Sequence, residues 1–152
     1  MEPERIFLDT DVVVNWLLRE TESVSGKELW KAPYEIVKLS ELQTVSALIS
    51  LTTLMEIRCL LRRKKFFDTP QIEEDLAKVS AVFDVIIPDE ISLLRANTLQ
   101  TEHPLDPFDA LHLSFAAGVK PVTLISRDAD FIKIARSFVE TATPEEFFKS
   151  RS

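Results

Sequence analysis

The sequence is poor in glycine and cysteine, and both shortages exclude whole classes of protein. Only Gly26 and Gly118 occur among 152 residues. Phosphate-binding loops need several glycines at fixed spacing, so a P-loop and a dinucleotide-binding fingerprint are both excluded. Cys59 is the single cysteine, which rules out an internal disulfide. Because it lies in an apolar run, we interpret Cys59 as a core thiol.

The chain also lacks long hydrophobic runs and an excess of positive charge. No apolar run approaches the roughly 20 residues that a membrane-spanning helix needs, so we expect no membrane association. The first residues, MEPER, lack the basic head of a signal peptide, and we expect a cytoplasmic protein. Asp and Glu number 25 against 18 Lys and Arg, for a formal net charge of −7. Proteins that coat nucleic acid are usually basic, so any contact with nucleic acid must be local or carried by metal ions.

Short apolar runs alternate with helical patterns along the chain. The first run, Ile6 to Leu8, is bounded by polar residues and ends directly at Asp9, as a buried parallel strand would. This alternation predicts one domain over residues 1–152, with a three-layer α/β/α fold and a central parallel sheet of four or five strands. The predicted strands are 6–8, 44–50, 85–88, 122–126 and 139–141. In the helix predicted after the third strand, Ile91, Leu94 and Leu99 are expected to face inward.

Four acidic residues share one placement in this predicted fold. Asp9 and Asp128 follow strands, whereas Glu56 and Asp109 lie in the first turns of predicted helices. Strand carboxyl ends and the helix starts that follow them face one edge of a parallel sheet, so the four side chains are expected to meet. The simpler interpretation is local: Glu56 and Asp109 would then only favour a helix start, as acids near helix N-termini do.

Other acids in the same regions have simpler interpretations. Asp106 is predicted to be an N-cap, with Asp109 three residues later as in a capping box. Asp11 and Asp130 also stand where N-caps are expected.

Clustered carboxylates would need cations. Two carboxylates about 4 Å apart repel by about 4 kcal/mol at an effective dielectric of 20. Oxygen-only ligands select hard ions such as Mg²⁺ or Mn²⁺. A zinc site needs more nitrogen or sulfur ligands than His103 and His112 supply. We interpret His112 as a residue that packs in the core or supports the site.

Five segments of the chain match one known family. They are IFLDTDVVV at 6–14, SLTTLMEI at 50–57, DPFDALHLSFAAG at 106–118, TLISRDADF at 123–131 and ATPEEFF at 142–148. In these segments the chain resembles the PIN-domain family and, within it, the VapC-type toxins. The resemblance implies a Mg²⁺- or Mn²⁺-dependent endoribonuclease that is paired with a small antitoxin protein and forms a homodimer. It implies the catalytic acids Asp9, Glu56, Asp109 and Asp128, of which Asp9, Asp109 and Asp128 hold metal, and a substrate-site hydroxyl at Ser126.

One basic cluster could contact an RNA substrate. Arg58, Arg62 and Lys65 are spaced four and three residues apart, which places them on one helical face beginning two residues from Glu56. The alternative is an ordinary solvated surface, as most charge runs are. The same strip could receive an acidic antitoxin tail.

Two other functions remain open from the residues alone. A PIN-like module that binds RNA or protein without catalysis would share the fold. The segment Asp9-Thr10-Asp11-Val12 also resembles the motif of haloacid-dehalogenase-like phosphatases, with Asp9 as nucleophile and Asp11 as general acid. That alternative leaves Glu56 and the helix of Asp109 unexplained.

Overall fold

The computed structural model describes residues 2–64 and 68–151. Within these residues the first four strands are separated by pairs of helices and the last two by a single helix, and every strand is short. The elements are β1 (Glu4–Leu8), α1 (Thr10–Leu17), α2 (Lys31–Glu41), β2 (Val45–Ser50), α3 (Leu51–Arg63), α4 (Thr69–Val82), β3 (Asp84–Ile86), α5 (Glu90–Glu102), α6 (Pro107–Gly118), β4 (Thr123–Ile125), α7 (Ala129–Ala135), β5 (Glu140–Ala142) and α8 (Pro144–Lys149).

The strands form one parallel sheet in the order β3-β2-β1-β4-β5. The chain moves outward from β1 through β2 to β3 and then returns to pair β4 with the other side of β1. The strand order therefore reverses between β1 and β4. In open parallel sheets, ligands bind outside the strand carboxyl ends at such a reversal.

Side chains of β1 alternate between two hydrophobic cores, one on each face of the sheet. Ile6 and Leu8 pack among residues of α1, α2, α3, α4 and α8, whereas Phe7 packs among residues of α5, α6 and α7. Because β1 is covered on both faces, its last three residues are at most 1% exposed. The predicted three-layer α/β/α architecture is confirmed.

Several predicted helix starts are shifted in the structure. Asp9 caps α1 and Asp128 caps α7, so the predicted N-caps at Asp11 and Asp130 are wrong. Ser50 caps α3 by accepting a hydrogen bond from the Thr52 amide, so this helix begins at Leu51. Glu56 therefore lies in the second turn of α3 instead of the first.

Two expectations about burial are also wrong. Ile91 and Leu94 of α5 are 66% and 62% exposed, because this helix packs through Ala96 and Leu99 instead. Cys59 lies on the exposed face of α3 and is not a core thiol. In the described part of the chain, none of the helices combines the length and apolar character needed to cross a membrane.

Candidate metal centre

Asp9 is the central carboxylate at the edge of the sheet where the strands have their carboxyl ends. It follows β1, is only 6% exposed, and its backbone amide bonds the carbonyl of Ile125 at the end of β4. The carboxylate accepts hydrogen bonds from the Thr10 amide (2.8 Å), His112 Nδ1 (3.0 Å) and Ser126 Oγ (2.7 Å). Burial acts to raise the pKa of Asp9, but the hydrogen bond and charge of His112 and the Ser126 hydrogen bond lower it. Asp9 is thus a fixed negative charge at the strand reversal.

His112 of α6 joins Asp9 to Glu56. Its ring is fully buried beside Phe7, with Nδ1 3.0 Å from Asp9 Oδ1 and Nε2 3.3 Å from Glu56 Oε1. Burial acts to lower the pKa of His112, but its hydrogen bonds to both carboxylates raise it to about 10. Each ring nitrogen of His112 therefore faces a carboxylate oxygen. The predicted packing of His112 in the core is confirmed, while its supporting role at the site stays a prediction.

Glu56 is fixed by a chain of hydroxyl groups. Its Oε1 accepts a hydrogen bond from Thr10 Oγ1 at 2.8 Å, and Thr10 Oγ1 lies 3.0 Å from Thr53 Oγ1. A hydroxyl has one proton, so Thr10 donates to Glu56 and accepts from Thr53. The glutamate side chain remains 25% exposed. Glu56 therefore reaches the Asp9 cluster through His112 and Thr10.

Asp109 is brought to the same place by the start of α6. Asp106 caps this helix and accepts a hydrogen bond from the Asp109 amide at 2.8 Å, which confirms the predicted cap. One oxygen of Asp109 and one of Asp9 lie within 4.8 Å of each other. Burial raises the pKa of Asp109 to about 7, together with the charges of Asp9 and Asp106. The Asp109 carboxylate is thus repelled by the carboxylates of Asp9 and Asp106.

Asp11 is a second carboxylate that is repelled by Asp9. Its Oδ2 accepts a hydrogen bond from the Arg127 amide at 3.1 Å, while Oδ1 is buried with no hydrogen-bond partner in the described part of the chain. Burial raises the pKa of Asp11 to about 7, together with the charge of Asp9. Asp11 therefore adds to the negative charge around Asp9.

Ser126 and Asp128 lie on the loop that follows β4. Ser126 is fully buried, donates to Asp9 and accepts a hydrogen bond from the Asp128 amide at 3.1 Å. The structure therefore gives Ser126 a supporting contact to Asp9, while the substrate contact stays a prediction. Asp128 is exposed and caps α7 through the amides of Asp130 and Phe131. Its charge also contributes to the raised pKa of Asp109.

The predicted basic strip is only partly available to a ligand. Both Arg58 Nε and Nη2 donate to Glu73 of α4, at 3.0 and 3.1 Å. This pairing lowers the pKa of Glu73, with a smaller contribution from Arg62. Arg62 itself is exposed, and Lys65 lies outside the described residues. The structure therefore commits Arg58 to an ion pair within the protein.

The chemistry of the cluster fits a hard divalent cation. Asp9 and Asp109 offer oxygen ligands, and a ring nitrogen of His112 lies within 4.8 Å of both, although the two ring nitrogens already contact Asp9 and Glu56. Oxygen ligands favour Mg²⁺ and Mn²⁺ over Zn²⁺. Asp11 and Asp109 both have a raised pKa beside Asp9. Burial is the larger cause of both raised pKa values, and a cation among these carboxylates would relieve the repulsion from Asp9 that adds to it.

The contacts of two groups that shape this centre could not be inferred from the sequence. Thr10 is a candidate helix cap by its position, yet its hydroxyl holds Glu56. Arg127 donates its backbone amide to Asp11, a contact between residues far apart in the sequence. Both contacts depend on how α1, α3 and the loop after β4 meet at the edge of the sheet.

The fold has clear structural relatives at low sequence identity. A toxin-antitoxin complex from Klebsiella pneumoniae matches with a TM-score of 0.63 and 20% identity, over 91% of this chain and 97% of that chain. A VapBC2 complex from Rickettsia felis bound to a promoter DNA fragment matches with a TM-score of 0.68 and 17% identity, over 90% of this chain and 98% of that chain. DNA-bound VapBC from Salmonella typhimurium matches with a TM-score of 0.66 and 15% identity, over 93% of this chain and 98% of that chain. At these identities the similarity concerns the fold.

The sequence comparison gives the family. Curated proteins provide no significant match to the chain. A PIN-domain family model matches residues 5–130, a range within which Asp9, Glu56, Asp109 and Asp128 lie. This match extends over most of the 152 residues, from β1 into α7. The chain therefore belongs to the PIN-domain family.

Proposed function

We propose that this protein is a Mg²⁺- or Mn²⁺-dependent endoribonuclease and the toxin of a toxin-antitoxin pair. The observation that carries the proposal is the meeting of Asp9 and Asp109, with oxygen atoms within 4.8 Å, at the reversal of strand order. The surplus negative charge at this point is the condition under which a divalent cation binds well. PIN domains are generally nucleases, which supports hydrolysis of a phosphodiester as the reaction.

Each side chain has a distinct role in this proposal. Asp9 and Asp109 would hold the cation, and Asp128 would hold a second ion or orient the attacking water. A bound divalent cation would activate water and stabilise charge on the phosphoryl group. Glu56 would complete the acidic cluster, while His112 and Ser126 keep the Asp9 carboxylate in one orientation.

Two partners are included in the proposal. The similar solved structures are toxin-antitoxin complexes by their titles, which supports a small antitoxin as partner. For the RNA substrate, we propose Arg62 as a contact to the phosphate backbone. Arg62 is exposed, whereas Arg58 is already engaged by Glu73.

We also propose that the chain forms a homodimer through exposed apolar residues of α5. Ile91, Leu93 and Leu94 are 66%, 51% and 62% exposed on neighbouring turns of this helix. Light scattering should give twice the 17.3 kDa mass of the chain. Leu94→Glu should give the monomer mass at the same concentration, whereas Leu42→Glu, at a position that is 74% exposed, should leave the dimer intact. A dimeric Leu94→Glu variant would place the interface elsewhere.

Metal binding and cleavage together test the proposed function. A cation at 100 times its dissociation constant stabilises a protein by about 2.7 kcal/mol, which for this size corresponds to a rise in Tm of roughly 5–10 °C. Mg²⁺ or Mn²⁺ should produce this rise in the wild type but not in the Asp9→Asn, Asp109→Asn double variant. The wild type should also cleave single-stranded RNA only when the ion is present.

The outcomes also separate the alternatives. A metal-dependent rise in Tm without cleavage of any RNA would favour a PIN-like module that binds without catalysis. A haloacid-dehalogenase-like phosphatase would form an aspartyl-phosphate at Asp9. Membership of the PIN-domain family supports the nuclease against that alternative.

A further inference from the structure

Arg127 stands between two side chains of the candidate metal centre. Ser126 on one side donates to Asp9, and Asp128 on the other caps α7. The backbone amide of Arg127 also donates to Asp11. Whatever fixes Arg127 therefore fixes the segment 126–128, which reaches the centre from the end of β4.

Each nitrogen of the Arg127 guanidinium donates at least one hydrogen bond within the protein. Nε donates to Asn15 Oδ1 of α1, and Nη2 donates to the carbonyl of Leu29 at 2.7 Å. Nη1 and Nη2 donate to the two carboxylate oxygens of Glu145, at 2.7 and 2.8 Å. Only 15% of the Arg127 side chain is exposed. A two-point guanidinium–carboxylate contact of this kind fixes orientation as well as distance.

Glu145 belongs to α8, the last helix of the described chain. Thr143 and Glu146 form a capping box that fixes the start of this helix, and Phe147 packs into the core. Burial acts to raise the pKa of Glu145, but hydrogen bonds from Arg127 and Lys27 lower it, so the pair is charged at neutral pH. The end of the chain thus reaches the 126–128 segment through one ion pair.

We propose that the Arg127–Glu145 pair is a positioning clasp, which connects α8 to the metal centre and holds Asp128 in place for the divalent cation. The inference rests on the proposed function, because it assigns Asp128 a role toward the metal. Neither Arg127 nor Glu145 is itself proposed to touch metal or RNA. Their effect passes through the backbone of residues 126–128.

The chain contains a matched pair for comparison. Arg151 donates to Glu4, and this ion pair also connects the end of the chain to the sheet. Glu4, however, lies at the amino end of β1, whereas Asp9 follows the carboxyl end. The exposed fractions of Glu4 and Glu145 are similar, at 44% and 39%. Glu4→Gln therefore removes an ion pair with a similarly exposed glutamate at the opposite edge of the sheet.

Titration calorimetry with Mn²⁺ tests the clasp without relying on cleavage. Glu145→Gln should weaken Mn²⁺ binding by about tenfold, the lower end of the effect that supporting residues have on metal affinity. Arg127→Lys keeps the charge but loses the two-point contact, and it should weaken binding in the same direction. Glu4→Gln should bind Mn²⁺ like the wild type.

A double-variant comparison distinguishes positioning of Asp128 from general destabilisation. Asp128→Asn keeps a good N-cap for α7 while weakening any metal contact. Once Asp128 is replaced, adding Glu145→Gln should have almost no further effect on Mn²⁺ affinity, because coupled residues are not additive. In the metal-free protein, Glu145→Gln should also speed hydrogen exchange at the Arg127 and Asp128 amides, which Glu4→Gln should leave unchanged.

Two results would overturn the clasp while the proposed function stands. One is a wild type and a Glu145→Gln variant that bind Mn²⁺ equally. The other is an equal tenfold loss from Glu145→Gln with and without Asp128→Asn. A wild type that binds no Mn²⁺ would instead reject the metal-dependent function, and the clasp with it.

Discussion

Asp109→Asn is expected to reduce cleavage of single-stranded RNA by at least about a hundredfold, with the fold unchanged. An amide keeps the shape of the carboxylate but removes its charge, and a neutral oxygen is a poorer ligand for a hard cation. Asp109 is neither a cap nor deeply buried, so its replacement should not unfold α6. The substitution would also end the repulsion from Asp9, and the metal-free variant should be at least as stable as the wild type.

Asp106→Asn is the matched control for this experiment. Asp106 also lies at the start of α6, but it is the N-cap, and its carboxylate accepts a hydrogen bond from the Asp109 amide. Asn caps helices as well as Asp does, so this variant should cleave RNA at nearly the wild-type rate. Cleavage rates of the two variants measure the effect on activity, and circular dichroism checks that both remain folded. An active Asp109→Asn variant beside an inactive Asp106→Asn variant would mean that the wrong acid of α6 has been assigned.

The position of the candidate centre could be predicted because it depends on strand ends. The run Ile6 to Leu8 is apolar without interruption, as a strand covered on both faces must be, and it stops at Asp9. In a parallel sheet this placement alone directs Asp9, Ser126 and the start of α3 to one edge. The cap at Asp106 was equally clear, because the residues that follow it include Pro107 in the first helical turn.

Other features could not be predicted because they depend on packing between elements. The apolar residues Ile91 and Leu94 favoured an inward face for α5, but the helix packs through the smaller Ala96 together with Leu99. Periodicity identifies an apolar face without saying whether this chain or a partner covers it. The N-caps predicted for α1 and α7 are wrong because Asp9 and Asp128 serve both as caps and as members of the acidic region.

The contacts that orient the centre were the least predictable of all. Arg127 meets Glu145, Asn15 and the carbonyl of Leu29, which come from three separate parts of the chain. The segment around Arg127 contributes to the family resemblance, but it does not indicate which residues the arginine side chain contacts. The same applies to Arg58, which sequence spacing places on a basic strip but which the structure pairs with Glu73.

His112→Leu is expected to lower the free energy of unfolding by about 3 kcal/mol, the lower end of the cost of breaking a buried ion pair. The imidazolium lies between Asp9 and Glu56, and a leucine of similar volume donates no hydrogen bond to either. Asp9 is buried and cannot turn to solvent, whereas the partly exposed Glu56 can be hydrated. The loss should therefore arise mainly from Asp9.

His103→Leu is the control for this change, because the chain has one other histidine. The ring of His103 packs edge-on against Phe138 and lies outside the acidic cluster. Its replacement should change the free energy of unfolding by less than about 1 kcal/mol in urea titrations. Mg²⁺ should restore part of the stability of His112→Leu, because a cation beside Asp9 replaces some of the lost positive charge. If both leucine variants unfold at the same urea concentration, His112 does not hold Asp9 and Glu56 together in the way that the structure indicates.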